Sequence, residues 1–368
     1  MAKYDLVFEG GGAKGSSFVG ALEALQEAGH THRRLLGTSA GAITAAFMAA
    51  RYTPEEMLTA VNERLPDGKP RFSSFMDPPS NDFTAEEKEK SATMSIFSGL
   101  DLPGIPSFLE TNLDKKLLDA LLVLPHYRQL FCFVECGGFF SGTKFLEWIR
   151  EKLAVKGIDE NATLKSFAEQ TGSDLSLVAS DTSDVEMLVL NHRTAPDCPV
   201  AWAVRMSMSI PFVWREVVWQ ESWGQYLGRD KTGKIVVDGG VLSNFPIRLI
   251  DTEPDDDQFV KDVMGDTLAS EAGTLGLLID EQLPVEGAAD SNKPPKLIGH
   301  LRTVQRVSRL VDTMTGAQDN DEIRRHAKDI CRLPAKGYGT TEFDMAEDRL
   351  AALIDGGRNA MRRHLAQA

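Results

Sequence analysis

A strand, a tight turn and a helix occur in this order twice within the first fifty residues, and this repeat constrains the fold more than any other feature. Strands separated by helices form a mostly parallel sheet with helices on both faces, and ligand sites lie at the carboxyl ends of the strands. We therefore predict an α/β chain with a three-layer α/β/α fold and a mostly parallel central sheet. The two predicted units comprise residues 4–9, 10–15 and 16–28, then 33–37, 38–41 and 42–51.

The pattern is interrupted between residues 66 and 110, where prolines, phenylalanines and a charged run follow one another. A stretch of this length without clear periodicity is typical of an active-site cover or a disordered insertion. No linker is long enough to require a second domain, so we interpret residues 1–368 as one domain with a lid or flap insertion at 66–110. Helices are predicted again at 113–124 and 142–153, and strands at 175–180, 186–190, 212–219, 235–238 and 275–280.

The second turn carries the pattern G-x-S-x-G, as Gly37-Thr38-Ser39-Ala40-Gly41. Between a strand and a helix this pattern is typical of a nucleophile elbow, in which the serine occupies a strained turn and its side chain projects at the edge of the sheet. The glycines on both sides prevent clashes between neighbouring backbones. Ser39 is therefore the candidate nucleophile, and the alternative is an ordinary strand-to-helix turn.

The first turn, Gly10-Gly11-Gly12-Ala13-Lys14-Gly15, also fits the G-x-G-x-x-G pattern of dinucleotide-binding loops. Such a site requires an acidic residue at the end of the second strand to bind a ribose hydroxyl. That strand ends here in Gly37, Thr38 and Ser39 instead. Consecutive glycines before a helix point several N–H groups at one spot, which suits a tetrahedral oxyanion as well as a phosphate. We favour an oxyanion hole formed by this loop.

A serine hydroxyl is a poor nucleophile until a base takes its proton. None of the seven histidines lies in a turn typical of a catalytic one, whereas Asp238-Gly239-Gly240 closes the apolar strand at 235–238 with a tight turn. A carboxylate that is desolvated beside a serine hydroxyl has a raised pKa and is a stronger base. Asp238 is therefore the candidate base, and the alternative is an aspartate that only caps its own turn.

Together the three motifs resemble those of the patatin-like phospholipase family, bacterial type. The family's G-G-G-x-[RK]-G, G-x-S-x-G and D-G-[AG] motifs correspond, in the same order, to the glycine loop with Lys14 at the basic position, to Ser39, and to Asp238 with Gly240. Residues 203–211, 240–246 and 337–344 are also similar to the family. The resemblance implies a serine lipid acyl hydrolase of phospholipase A type that releases fatty acids from glycerophospholipids. It also implies a Ser39–Asp238 dyad, with no metal or other cofactor.

Charge and composition restrict the partners. The chain has 54 acidic and 40 basic residues, and its net charge of −14 opposes nucleic acid and gives no general attraction to anionic lipid surfaces. Peripheral membrane contact would therefore depend on a local apolar or basic patch. The N-terminus resembles no leader, no apolar stretch has membrane-spanning length, and the four cysteines are too scattered for a disulfide framework. We expect a soluble cytoplasmic protein that acts on phospholipid or another acyl ester.

Sequence alone leaves three other functions open. A Ser-His-Asp esterase would use His300, His326 or His364 as its base. An acyltransferase would pass the acyl group to an alcohol other than water. A non-enzymatic nucleotide-binding module would use the glycine loop as a phosphate cradle. A small-nucleotide or protein activator also stays open.

Overall fold

The computed structural model describes residues 1–81, 83–98, 107–251, 257–265, 272–288 and 321–367. The strands in these ranges are β1 (Lys3–Phe8), β2 (Thr31–Thr38), β3 (Gly138–Phe140), β4 (Asp174–Asp181), β5 (Glu186–Leu190), β6 (Phe212–Trp214), β7 (Val217–Val218), β8 (Gln225–Tyr226), β9 (Arg229–Asp230), β10 (Ile235–Asp238), β11 (Gly273–Pro284) and β12 (Ile330–Lys336). The helices are α1 (Ser17–Glu27), α2 (Ala40–Ala49), α3 (Pro54–Val61), α4 (Ala85–Glu89), α5 (Ala92–Ser98), α6 (Ser107–Leu122), α7 (Pro125–Glu135), α8 (Thr143–Val155), α9 (Leu164–Thr171), α10 (Val200–Ser207), α11 (Arg248–Asp251), α12 (Gln258–Met264) and α13 (Glu347–Leu365).

Within the described ranges, eight strands form one sheet in the order β12-β11-β1-β2-β4-β10-β7, with β5 attached to β4. The pairs from β12 through β4 are parallel, whereas β5, β10 and β7 join antiparallel. The predicted α/β fold with a mostly parallel central sheet is confirmed. The strand predicted at 212–219 is instead two short strands, of which β6 pairs with β3 in a separate small sheet.

Alternating residues along the strands divide between two cores. In β1, Leu6 and Phe8 point into the larger core, and Val7 points into the smaller one on the opposite face. This period of two is the ordinary geometry of a strand that is covered on both faces. Helices α1, α2, α8, α9, α10 and α13 pack against the first face, and α11 and α12 pack against the second.

A helical insertion, defined here as α4 to α7, lies between α3 and β3 and has a small core of its own. Phe83, Met94, Leu118 and Phe131 are among the residues that pack there. The described part of residues 66–110 is therefore more regular than its sequence pattern predicts. The reason is that its helices are very short: α4 has five residues and depends on a capping box between Thr84 and Glu87 rather than on an apolar period. The function of this segment as a lid stays a prediction.

Candidate active site

Ser39 and Asp238 come together because two strands end at the same point of β4. β5 pairs with residues 177–181 along one edge of β4, so β2 and β10 share the other edge. β2 runs parallel to β4 and ends with Thr38 opposite Val178. β10 runs antiparallel and ends with Asp238 opposite Ala179. The carboxyl ends of β2 and β10 therefore face each other, and Ser39 follows β2 directly.

Ser39 occupies a strained turn between β2 and α2. Its φ of 53° and ψ of −118° lie in a region that residues with a side chain rarely adopt. The turn is tight on both sides, since a Cβ atom on Gly37 would lie 2.3 Å from the carbonyl oxygen of Gly41, and one on Gly41 would lie 2.3 Å from that of Phe8. Ser39 is 5% exposed and stands at the amino end of α2, where the helix dipole favours negative charge.

The Asp238 carboxyl is buried and only partly satisfied. The N–H of Gly240 donates to Oδ1 at 2.7 Å, while buried Oδ2 makes no hydrogen bond of standard geometry to the described residues. Burial raises the pKa of Asp238 to about 7, although the Gly240 N–H and the nearby Ser39 hydroxyl act to lower it. A carboxyl with such a pKa is a far stronger base than an exposed aspartate and is largely ionised just above neutral pH.

The glycine loop borders the serine. A Cβ atom on Gly10 would lie 3.2 Å from the Cβ of Ser39. Three N–H groups of the loop already have acceptors within the protein. The N–H of Gly10 donates to the carbonyl oxygen of Asn244 at 3.0 Å, that of Ala13 to Thr340 at 2.9 Å, and that of Lys14 to Gly11 at 3.2 Å. Among the described residues we find no acceptor for the N–H groups of Gly11 and Gly12. These two amides are therefore candidates for the oxyanion hole, and its formation by this loop stays a prediction.

Lys14 is 4% exposed and forms an ion pair with Glu281 on β11. A lysine at this position could bind a substrate phosphate or support the loop. The ion pair ties the loop to a neighbouring strand, so the geometry favours support.

No histidine in the described part of the chain is a hydrogen-bond or ion-pair partner of Ser39 or Asp238. His326 lies beside Asp251 and Glu322, with Nδ1 3.1 Å and Nε2 3.5 Å from their carboxylates. His364 is on α13. His300 lies outside the described residues.

Three carboxylates that could hold a metal ion, those of Asp181, Asp184 and Glu186, lie together at the end of β4. The ammonium of buried Lys231 is among them, 2.8 Å from Asp181 and 2.7 Å from Asp184, and also contacts Glu186. Although burial opposes the charge on Lys231, these hydrogen bonds raise its pKa. The cluster thus already holds a cation of the chain.

A sequence model described as Patatin-like phospholipase matches residues 6–251, a range that contains the glycine loop, Ser39 and Asp238. The chain belongs to the patatin-like phospholipase family. As a member of this family it is a hydrolase of lipids.

This patatin-like phospholipase is similar in sequence to a bacterial and a viral protein. Uncharacterized protein YqhO of Bacillus subtilis (strain 168) is 31% identical over 361 residues, which cover 96% of this chain and 95% of that protein. Probable lipid hydrolase 463L of Invertebrate iridescent virus 6 is 24% identical over 111 residues, 30% of this chain and 34% of that protein. The match to YqhO extends the similarity well beyond the family match, over almost the whole chain.

Among solved structures, VipD from Legionella pneumophila aligns with a TM-score of 0.47 and 16% identity, over 99% of this chain and 67% of that one. A chain in the complex of full-length SpcU with full-length ExoU from Pseudomonas aeruginosa aligns with a TM-score of 0.42 and 17% identity. That alignment covers 99% of this chain and 52% of the other, so this patatin-like phospholipase spans about half its length.

Sequence reasoning assigned no role to Asn244, yet this residue joins the glycine loop to the segment that follows Asp238. Its side-chain Nδ2 donates to the Gly10 carbonyl oxygen and to Glu9 Oε1, both at 3.1 Å. Its backbone carbonyl oxygen accepts a hydrogen bond from the Gly10 N–H. The available signal was the similarity of residues 240–246 to the patatin-like family. That similarity marks the position but does not show that its side chain reaches a loop more than 230 residues away.

Proposed function

We propose that the chain is a phospholipase A-type serine hydrolase that releases fatty acids from glycerophospholipids through a Ser39–Asp238 dyad. One observation carries the proposal: a serine in a strained turn faces a buried carboxyl whose pKa is raised to about 7. Serine hydrolysis needs a base at this position, and Asp238 is the titratable side chain that the Ser39 hydroxyl reaches.

In the first half-reaction the Ser39 Oγ attacks the ester carbonyl carbon, and Asp238 accepts the hydroxyl proton. The carbonyl oxygen becomes an oxyanion, which the N–H groups of Gly11 and Gly12 stabilise together with the amino end of α2. When the tetrahedral intermediate collapses, the bond to the lysolipid oxygen breaks and protonated Asp238 returns the proton to that oxygen. Ser39 is left esterified by the fatty acyl group.

In the second half-reaction Asp238 takes a proton from water, and the resulting hydroxide attacks the acyl carbon. Collapse of the second oxyanion breaks the bond to Ser39 Oγ, which recovers the proton from Asp238. The products are a fatty acid and a lysolipid, and the proton count is balanced over the cycle. No step requires a metal or other cofactor.

Incubation of the purified protein with defined phosphatidylcholine, followed by mass spectrometry of the products, tests this proposal. We expect equal amounts of free fatty acid and lysolipid. A parallel sample with cell extract tests for an activator, and a sample with added alcohol detects transfer to an acceptor other than water. The proposal would be contradicted if none of these samples released free fatty acid.

The pH profile gives a further prediction. Because the base must be ionised, kcat on a soluble ester should fall about tenfold for each pH unit below the Asp238 pKa of about 7 and level off above it. If an imidazole were the base, the fall in kcat at low pH would instead be centred near the ordinary histidine pKa of about 6.5. The pH profile is therefore repeated with His326→Ala and His364→Ala. Both variants should keep the fall in kcat below pH 7. Loss of this pH dependence in either histidine variant would show that the base is a histidine.

Peripheral membrane contact is the second part of the proposal, and the helical insertion supplies the surface for it. Large apolar side chains on α6, on α7 and at the turn between them are 48–66% exposed: Leu113, Leu117, Val123, Leu124, Leu130 and Val134. No single helix in the described ranges is long and apolar enough to cross a membrane; the consecutive helices Leu113–Leu122 and Pro125–Glu135 meet that test together but are bent by 110°. A bent pair of this composition suits insertion into one leaflet.

Aromatic contacts link α7 to the chain segment beside Asp238. Phe133 on α7 stacks on Phe139, with ring centroids 4.2 Å apart, and also contacts Phe212. Phe212 follows closely after Ser209, whose carbonyl oxygen accepts the Asp238 N–H. Since the net charge of −14 repels anionic lipid, we expect binding to a zwitterionic bilayer through apolar contact.

Sedimentation with phosphatidylcholine vesicles tests this surface. Val123→Ser combined with Leu124→Ser should weaken partition by about tenfold or more, because each change removes apolar area from the lipid contact. The matched control is Val155→Ser with Val218→Ser, which removes exposed apolar side chains elsewhere and should leave partition unchanged. Equal partition of both double variants would contradict the proposal. The proposal would also be contradicted if the wild type self-associates and the first variant does not, since the surface would then be a contact between copies of the chain.

A further inference from the structure

The side chain of Ser207, at the end of α10, lies between the backbone of Ser39 and β4. It is fully buried. Its Oγ accepts a hydrogen bond from the Ser39 N–H at 3.0 Å and donates one to the Val178 carbonyl oxygen at 2.6 Å. Val178 stands opposite Thr38 in the sheet. One hydroxyl therefore connects the peptide that carries the candidate nucleophile to the strand beside it.

The strained backbone of Ser39 makes this contact important. At φ 53° the Ser39 N–H belongs neither to the ladder of β2 nor to the hydrogen bonds of α2, yet it is buried. A buried N–H without an acceptor is costly, and a residue in a disfavoured conformation stays there only when its surroundings hold it. Ser207 Oγ supplies the acceptor.

The same segment also holds Asp238. Two residues after Ser207, the carbonyl oxygen of Ser209 accepts the Asp238 N–H at 2.9 Å. The Ser209 side chain does not contribute to this contact, because its Oγ is hydrogen-bonded to Arg205 and accepts nothing from either candidate catalytic residue. Residues 207–209 thus accept hydrogen bonds from the backbone N–H groups of both Ser39 and Asp238, the first at the Ser207 side chain and the second at the Ser209 carbonyl oxygen.

We propose that Ser207 is a positioning residue that sets the orientation of the Ser39 hydroxyl toward Asp238 and the glycine loop. The inference rests on the proposed role of Ser39 as nucleophile. The Ser39 peptide, once released from Ser207, can rotate toward less strained angles, and this rotation moves Oγ relative to its base. A misplacement of about 1 Å at a reacting atom costs on the order of a hundredfold in rate. Substrate binding does not involve Ser207, because its side chain is fully buried.

The test compares Ser207→Ala with Ser176→Ala. Ser176 is a matched control because it is 1% exposed, lies on β4 and bonds the side chain of Asn191, away from the site. We measure kcat and KM on a soluble ester, the rate of labelling by a fluorophosphonate, and thermal stability, well below each unfolding temperature. Ser207→Ala should lose 10- to 100-fold in kcat and in labelling rate, with KM within about twofold. Ser176→Ala should keep kcat within twofold.

A second pair of variants separates the hydroxyl from packing and covers the case in which Ser207→Ala does not fold. Ser207→Thr and Ser207→Val add the same volume, and the threonine alone keeps the acceptor. The threonine variant should be at least tenfold more active than the valine variant. Equal activity within this pair, or a kcat for Ser207→Ala within twofold of wild type, would overturn the inference. If Ser39→Ala is itself active, the proposed function fails instead, so the two failures are distinguishable.

Discussion

Replacement of Ser39 by alanine is expected to lower esterase activity by about three to five orders of magnitude while the protein stays folded. The change deletes one oxygen atom, and the turn that carries it is determined by Gly37 and Gly41, where added side chains would meet backbone atoms. The mutation therefore removes the nucleophile without disturbing the backbone around it. Activity is measured on a soluble ester and on phosphatidylcholine vesicles, so that loss of chemistry is separated from loss of membrane contact.

Ser176→Ala serves as the control for the removal of a buried hydroxyl and should keep near wild-type activity. Mass spectrometry after incubation with a fluorophosphonate should detect one phosphonylated residue, Ser39, in the wild type and none in Ser39→Ala. Esterase activity of Ser39→Ala within about threefold of the wild type would exclude Ser39 as the nucleophile, since loss of a nucleophile costs far more.

Replacement of Asp238 by asparagine should be about as damaging as loss of Ser39, because the two side chains act as one unit. Asparagine keeps the shape of the side chain and can still accept the Gly240 N–H, but its amide has no basic oxygen. We expect kcat to fall by about three to five orders of magnitude, with KM little changed. Single alanine variants of His192, His300, His326 and His364 should each keep most of the activity. A histidine variant that is folded but inactive would show that a histidine is the base, as in a Ser-His-Asp triad.

The stability of Asp238→Asn provides an independent check on the electrostatics. The folded-state pKa of about 7 lies above the ordinary value of 3.8, so the folded protein binds the Asp238 proton more tightly than the unfolded chain does. The Asp238 contribution to stability is therefore full below pH 4 and is lost as the pH rises through about 7. Asp238→Asn should unfold at a higher temperature than the wild type at pH 8, and the difference should shrink toward pH 4. A variant less stable than the wild type at pH 8 would contradict a desolvated carboxylate.

Several local features followed from the sequence because each depends on neighbouring residues. The turn at Gly37 to Gly41, the glycine loop and the end of β10 at Asp238 are all visible as short patterns, since only glycine fits where backbones approach closely. The parallel character of the sheet followed from the alternation of strands and helices. The helices at 66–110 were not predicted, because elements of five to seven residues are too short to show a period.

The sequence by itself determined the fold class, the family and the identity of the candidate nucleophile and base, because these depend on residue types at fixed short spacings. Only the tertiary structure decided how they meet. Antiparallel β10 lies on the same edge of β4 as parallel β2, so Asp238 ends opposite Ala179 directly beyond Thr38. The raised pKa of Asp238, the contact of Lys14 with Glu281 and the bonds made by Ser207 and Asn244 likewise join residues far apart in the chain. Burial and hydrogen bonding depend on what packs around a group in space, and no local pattern encodes those neighbours.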